Sequence, residues 1–207
     1  MPRKMIIRRR PKKVVNNAIT PVPQRFLTKH KYSTTITINT AMPQYNFNLN
    51  SLFDPDRTAT GHQPYGFDQI SALYNRYRVY GCSYVVQGYQ ANNPIRVGVV
   101  ASNGIAAVTN MASLIELPRS KFITQIPGGP AAKVTGYVDM ASLTGRTKAQ
   151  YMADDVYAGT ALTDPSELLI LNIRASTLSD TLVDGCAITV TLQFHCEWYD
   201  PIVFGTS

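Results

Sequence analysis

No stretch of this 207-residue chain approaches the roughly 18 consecutive apolar residues of a membrane-spanning helix. The first apolar cluster, Met5, Ile6 and Ile7, is far shorter than the apolar core of a secretory signal, so neither membrane insertion nor a signal peptide is expected. Cysteine is scarce. Cys82, Cys186 and Cys196 form an odd set with no paired spacing, which argues against a disulfide scaffold and for reduced, buried thiols in an intracellular compartment. Histidine is as rare, with His30, His62 and His195 widely separated, and no CxxC, HExxH, GxSxG or phosphate-loop pattern is present.

These absences weigh against catalysis. His195 and Cys196 are adjacent on an alternating stretch, so their side chains point to opposite faces of a strand and cannot act as a nucleophile and base. His62 has Asp54, Asp56 and Asp68 nearby in sequence but no second histidine or well-spaced carboxylate set. It reads as a loop histidine bonded to backbone. Asp54-Pro55-Asp56 and Asp154-Asp155 have the oxygen chemistry for calcium, yet turn formation and helix capping account for them first. No catalytic residue, metal or cofactor is assigned, and the chain is not expected to be an enzyme.

Acidic residues are missing altogether from the first 31 positions. That segment holds ten of the twenty Lys and Arg: Arg3, Lys4, Arg8, Arg9, Arg10, Lys12, Lys13, Arg25, Lys29 and Lys31. Residues 32–207 hold the other ten against all thirteen Asp and Glu, so a strongly basic arm precedes a mildly acidic body. Lys and Arg gain by releasing counterions from a polyanion, so this asymmetry is the footprint of nucleic-acid binding or of an anionic membrane. The arm has no apolar face to lay into a bilayer, which favours nucleic acid. Pro2, Pro11, Pro21 and Pro23 interrupt it, and with so many like charges it is expected to be largely disordered when free. A nuclear-import signal has the same composition, and the same residues can serve both purposes.

The body, residues 32–207, reads as one all-β domain. Ile36 and Ile38 alternate with Thr35 and Thr37 in a strand beginning at Tyr32, and Tyr45, Phe47 and Leu49 alternate with asparagines. Further strands are expected over Arg78–Gln87, Ile95–Ala101, Phe122–Ile126, Lys133–Met140, Glu167–Ala175 and Ala187–Tyr199. In the last, Ile188, Val190, Leu192, Phe194, Cys196 and Trp198 share one parity, which puts one face in a core. Gly98 marks a bulge or a close approach. Residues 102–120 are expected to hold a short helix or a loop lid, and 144–163 an irregular excursion. Eight antiparallel strands suit a two-sheet jelly roll, although periodicity alone admits an immunoglobulin-like or lectin-like sandwich equally.

The stretch from Leu52 to Val86 organises the rest. Asp54-Pro55-Asp56, Gly61, Pro64 and Gly66 make a turn-rich loop. A short helix should follow, with Phe67, Ile70, Leu73, Tyr74 and Tyr77 on one apolar stripe, before a strand takes over at Arg78. The aromatic set Tyr65, Phe67, Tyr74, Tyr77, Tyr80, Tyr84 and Tyr89 is dense enough to stack bases, but its apolar neighbours favour packing.

The runs Asp54-Pro55-Asp56, Gly61-His62-Gln63-Pro64-Tyr65-Gly66-Phe67-Asp68-Gln69 and Leu73-Tyr74-Asn75-Arg76-Tyr77 resemble the capsid proteins of small circular single-stranded DNA viruses, whose coats are similar to those of satellite plant viruses. The closing FHCEWYDP, Phe194 to Pro201, resembles the last strand of the same coats. The resemblance implies a single eight-stranded jelly roll that self-assembles into a closed icosahedral T=1 shell of about 60 copies. It also implies packaged single-stranded nucleic acid, DNA in preference to RNA, and residence in the virion; the basic arm, as an import signal, adds a host nuclear-import receptor as partner and the host nucleus as a location during assembly. The arm is short and mixes Lys with Arg, nearer the satellite-virus type. Two other classes stay open: a non-assembling, basic-armed nucleic-acid-binding sandwich, and a sandwich-fold hydrolase or lectin, which would need a convergent set of polar groups that the sequence does not offer beyond the isolated His62 region.

Overall fold

The computed structural model describes residues 22–39, 42–89, 92–106, 108–179 and 186–203. Alternating polarity builds the strands: β1 (Arg25–Ile38), β2 (Gln44–Asn48), β3 (Tyr74–Tyr89), β4 (Ile95–Ser102), β5 (Lys121–Gln125), β6 (Ala132–Asp139), β7 (Ala158–Thr160), β8 (Ile170–Thr177) and β9 (Cys186–Pro201). Four short helices lie between them: α1 (Phe67–Ser71), α2 (Met111–Glu116), α3 (Met140–Leu143) and α4 (Lys148–Ala153).

Antiparallel pairing gives one sheet in the order β1-β9-β3-β6, with the three-residue β7 added beside β3, and a second sheet in the order β2-β8-β4-β5. Successive strands mostly switch sheets, so each sheet is assembled from distant parts of the chain. This is an eight-stranded jelly roll, with β7 as a short addition.

Inner faces of both sheets share one core. All six residues of the apolar parity of β9, from Ile188 to Trp198, are fully buried there. Trp198 packs at 5.3 Å from Tyr77 and 5.5 Å from Phe67, and Phe67 meets Tyr77 edge-on at 5.9 Å. The Tyr77 hydroxyl accepts from the backbone N–H groups of Leu52 and Phe53 at 3.1 and 3.2 Å, tying the turn-rich loop to β3. Burial pushes its pKa up to about 12. The outer face of the second sheet is covered by α2 through a small cluster of Val100, Val108, Met111 and Leu114. Gly98 is the close approach there, since a Cβ would lie 2.8 Å from Met111 Sδ and 2.9 Å from Leu114 Cδ2.

Several boundaries differ from the sequence expectation: Met140 opens α3 and does not end β6, β8 begins at Ile170 and not at Glu167, and the excursion over 144–163 holds α4 and β7. Two further differences bear on the first sheet. The apolar stripe expected on one helix is split, because α1 ends at Ser71 while Tyr74 and Tyr77 lie on β3. Gly66 offers no capping side chain, so the helix is short, and β9 captures the following backbone from Tyr74↔Pro201 onward. The first strand also starts earlier than Tyr32. Residues 25–31, placed on the arm by their charge, pair with β9 from Arg25↔Tyr199 to Lys31↔Gln193, because ladder hydrogen bonds do not depend on outward-facing lysines.

Candidate nucleic-acid interface

Of the ten arm cations, Arg3, Lys4, Arg8, Arg9, Arg10, Lys12 and Lys13 lie outside the described residues. The other three are ordered on β1. Arg25, Lys29 and Lys31 share the outward parity of that strand and are exposed, while His30 and Tyr32 between and beside them point into the core. The arm therefore enters the body at the Arg25 end of the first sheet. Arg25 faces the buried Glu197 carboxylate at 3.6 Å.

His30 is held on both ring nitrogens. Trp198 Nε1–H donates to His30 Nε2 at 3.1 Å, which leaves Nδ1 as the protonated nitrogen donating to the Tyr65 carbonyl at 3.2 Å. Burial lowers its pKa, so the neutral ring is the folded form. The base of the arm is thus locked both to the closing strand and to the turn-rich loop.

Across the same outer face lies an aromatic and basic group. The register of β3 against β9 slips between Val79 and Gly81, a β-bulge that puts Tyr80 on the outer side although Val79 and Cys82 both face the core. Tyr80 and Tyr137 meet His195 edge-on at 6.3 and 5.6 Å, Ser83 Oγ lies 3.4 Å from His195 Nε2, and Lys148 Nζ sits 5.4 Å over the Tyr80 ring. Tyr137 lies across Gly81, where any Cβ would strike its ring. Burial and the nearby Lys29 both lower the His195 pKa. Sequence reading passed over Tyr137 and Lys148; the outward parity of Tyr137 on β6 was the available signal, whereas nothing local signals the bulge. Of the aromatic set considered for stacking, Phe67, Tyr74, Tyr77 and Tyr84 are buried, and Tyr80 alone joins this group.

The remaining candidates are occupied by structural bonds. The buried Asp56 carboxylate accepts from Tyr45 Oη at 2.9 and 2.8 Å and from Thr58 N at 3.1 Å. His62 packs against Tyr32 with ring centroids 4.6 Å apart and planes tilted by 35°, its ring nitrogens 2.8 Å from Gln63 O and 3.1 Å from Ser33 O. The cleft they border, about 490 Å³, is otherwise lined by four threonines, Ile36, Met42, Tyr45 and Gly61. Asp154 caps the 3₁₀ turn Asp155–Tyr157 and pairs with Arg146, and Asp155 pairs with Arg76 and with the buried Arg78 at 3.1 and 3.0 Å. Among the described residues no group of three His, Cys, Asp or Glu could hold a metal ion. Cys82, Cys186 and Cys196 are free and buried, and burial raises the pKa of each thiol.

No family model matches the sequence. None of the curated proteins matches it either. Solved structures do match. The semi-empty virus-like particle of the giant freshwater prawn Macrobrachium rosenbergii nodavirus aligns with a TM-score of 0.51 at 9% identity, over 90% of this chain and 100% of that one. Empty-head turnip yellow mosaic virus gives 0.49 at 11% identity over 91% and 88%, and cocksfoot mottle virus 0.47 at 12% over 86% and 97%. At such identities the nodavirus match, the one of these three above 0.5, shows a shared jelly-roll fold along nearly the whole chain.

Proposed function

We propose that this protein is the coat protein of a small icosahedral virus, a jelly-roll wedge that tiles a closed shell and holds single-stranded nucleic acid with its basic N-terminal segment. The observation that carries the reading is the junction at Arg25: a segment of cations without acids leads directly into the edge strand of a jelly roll like that of a virus-like particle. The mechanism is electrostatic and geometric. Like-charged arms repel one another until phosphates neutralise them, so assembly and packaging are coupled and weaken with salt. If all ten cations meet single-stranded phosphates, log K falls against log salt with a slope of up to about −7. A T=1 shell of about 60 copies is the simplest closed arrangement. The sequence resemblance favours DNA as cargo, although phosphate contacts do not read the sugar. The same basic segment suits a nuclear-import receptor during assembly.

Sedimentation of the full-length protein, with absorbance followed at 260 and 280 nm, tests this. A fast, uniform particle rich in 260 nm absorbance is expected, and nuclease digestion of opened particles identifies DNA or RNA. Removing residues 1–21 should leave shells that lack cargo. The truncation must stop there, because a cut through residue 31 removes seven of the paired positions of β1. A species of one chain mass, 22.9 kDa, at every salt and pH would overturn the coat reading in favour of a basic-armed binding module.

A further inference from the structure

We propose that the outer face of the first sheet, where Lys29, Lys31, Tyr80, Tyr137, His195 and Lys148 converge, is a docking surface for single-stranded nucleic acid and so lines the inside of the shell. The inference rests on the packaging reading and adds to it a second, folded contact besides the arm.

Three observations carry it. The first is the chemistry of the group. Tyr137 is 55% exposed, and with Tyr80 and His195 it presents aromatic surface on the side of the sheet away from the core. Single-strand binders combine such platforms with cations that follow the backbone, and every base has a face that can stack. A bulge is the device that aims Tyr80 outward, and Gly81 is what leaves room for the phenol end of Tyr137 to pass over β3.

The second is charge. Acids on this face are engaged: Glu197 is buried facing Arg25, Asp155 is held by Arg76 and Arg78, and Asp139 accepts from Ser142 N at 2.7 Å as a helix cap. Lys29, Lys31 and Lys148 have no ion-pair partner among the described residues. The face therefore carries a local excess of cations on a folded body, residues 22–207, whose thirteen Lys and Arg otherwise balance its thirteen Asp and Glu, and an anion is the complement it lacks.

The third is continuity. Lys29 pairs in register with His195 on the adjacent strand, and Lys31 follows on the same parity. The arm enters beside them at Arg25, so a strand held by the arm is delivered to this face. From Lys31 to Tyr137, in register through Gln193 and Ser83, the path spans four strands, about 14 Å at the ordinary interstrand spacing.

Ultraviolet cross-linking of assembled, full-length, cargo-filled particles, followed by nuclease digestion and peptide mass spectrometry, tests the surface directly. Nucleotide adducts on Tyr80, Tyr137 or Lys148, in addition to the arm, are expected. Adducts confined to residues 1–21 in particles that do contain nucleic acid would overturn the proposal while leaving packaging intact; particles without nucleic acid would remove both. Hydroxyl-radical footprinting separates the other occupant. Tyr137 should be protected in filled particles and reactive in emptied ones, and protection in both would mean that a second copy covers the face. In solution, dissociated Lys29→Ser/Lys31→Ser/Lys148→Ser protein with its arm intact should bind poly(dT) with a salt slope shallower by about 2, at about 0.7 per lost contact. An unchanged slope in a variant with wild-type circular dichroism counts against the surface.

Discussion

Acid should loosen this protein through His30. In the folded chain the ring is neutral, with Nε2 accepting from Trp198 and Nδ1 donating to Tyr65 O, and burial lowers its pKa from the ordinary 6.5. Below that ordinary value the unfolded chain takes up a proton that the folded chain refuses, so stability is full above about pH 6.5 and declines as the pH falls toward the folded pKa. The decline is at most about 1.4 kcal/mol per pH unit for one such group. A proton forced onto Nε2 would set two N–H groups against each other. Nearby charges give no relief, because Lys29, Lys31 and Glu197 project from the opposite face of the sheet. His195, also lowered, adds a term of the same sign from a more exposed position. Urea unfolding of dissociated subunits at fixed protein concentration, from about pH 7.5 down to about pH 4.5, reads the effect. His30→Gln, which can still accept from Trp198, should keep most of the neutral-pH stability and lose His30's share of the slope; His195→Gln should change it less. His30→Ala should cost roughly 1–3 kcal/mol at neutral pH for each buried partner left unbonded. A His30→Gln protein that declines with acid as steeply as wild type would refute the reasoning.

Two further substitutions probe the packing. Gly136→Ala places a methyl against the buried Tyr84 ring directly across the ladder, and overpacking of this kind should cost about 1–3 kcal/mol in chemical unfolding with no change in the denaturant slope. Arg174→Met removes a buried guanidinium that donates to Val108 O at 3.1 Å and Thr109 O at 2.7 Å; hydrogen exchange around residues 108–110 should accelerate, and stability should fall by roughly 1–3 kcal/mol per orphaned carbonyl. Unaltered exchange in that segment would mean the arginine does not hold it.

Several features of the fold were legible because they are local and periodic. Strict alternation from Ile188 to Trp198 marks a strand with one buried face whatever lies opposite it, and the structure buries all six of those side chains. The charge split at the chain's start is likewise a property of composition. Asp154 as a cap and Asp56 as a turn residue followed from short-range side-chain chemistry, and the bonds from Val156 N to Asp154 and from Thr58 N to Asp56 are of that kind, whereas the Tyr45 bonds to Asp56 are tertiary. Periodicity could not choose between a jelly roll and other sandwiches, because strand order is set by contacts between distant segments.

The sequence by itself determined the class of the fold and the charge of one end: alternation gave β-strands, Pro and Gly gave the loops, and unbalanced Lys and Arg gave a strongly basic first segment. Tertiary structure alone decided which side chains share a place. Charge assigned Arg25, Lys29 and Lys31 to a free arm, but β9 supplies backbone partners along all fourteen residues of β1, and those bonds outweigh the charge pattern. Tyr77 matches a helical stripe as well as a strand, and the ladder with β9 settles it. Tyr80, Tyr137, His195 and Lys148 come from four separate elements and meet because a one-residue bulge and a glycine let them. Such a meeting depends on register, which is fixed by the burial of whole strand faces and is not encoded in any single stretch of the chain.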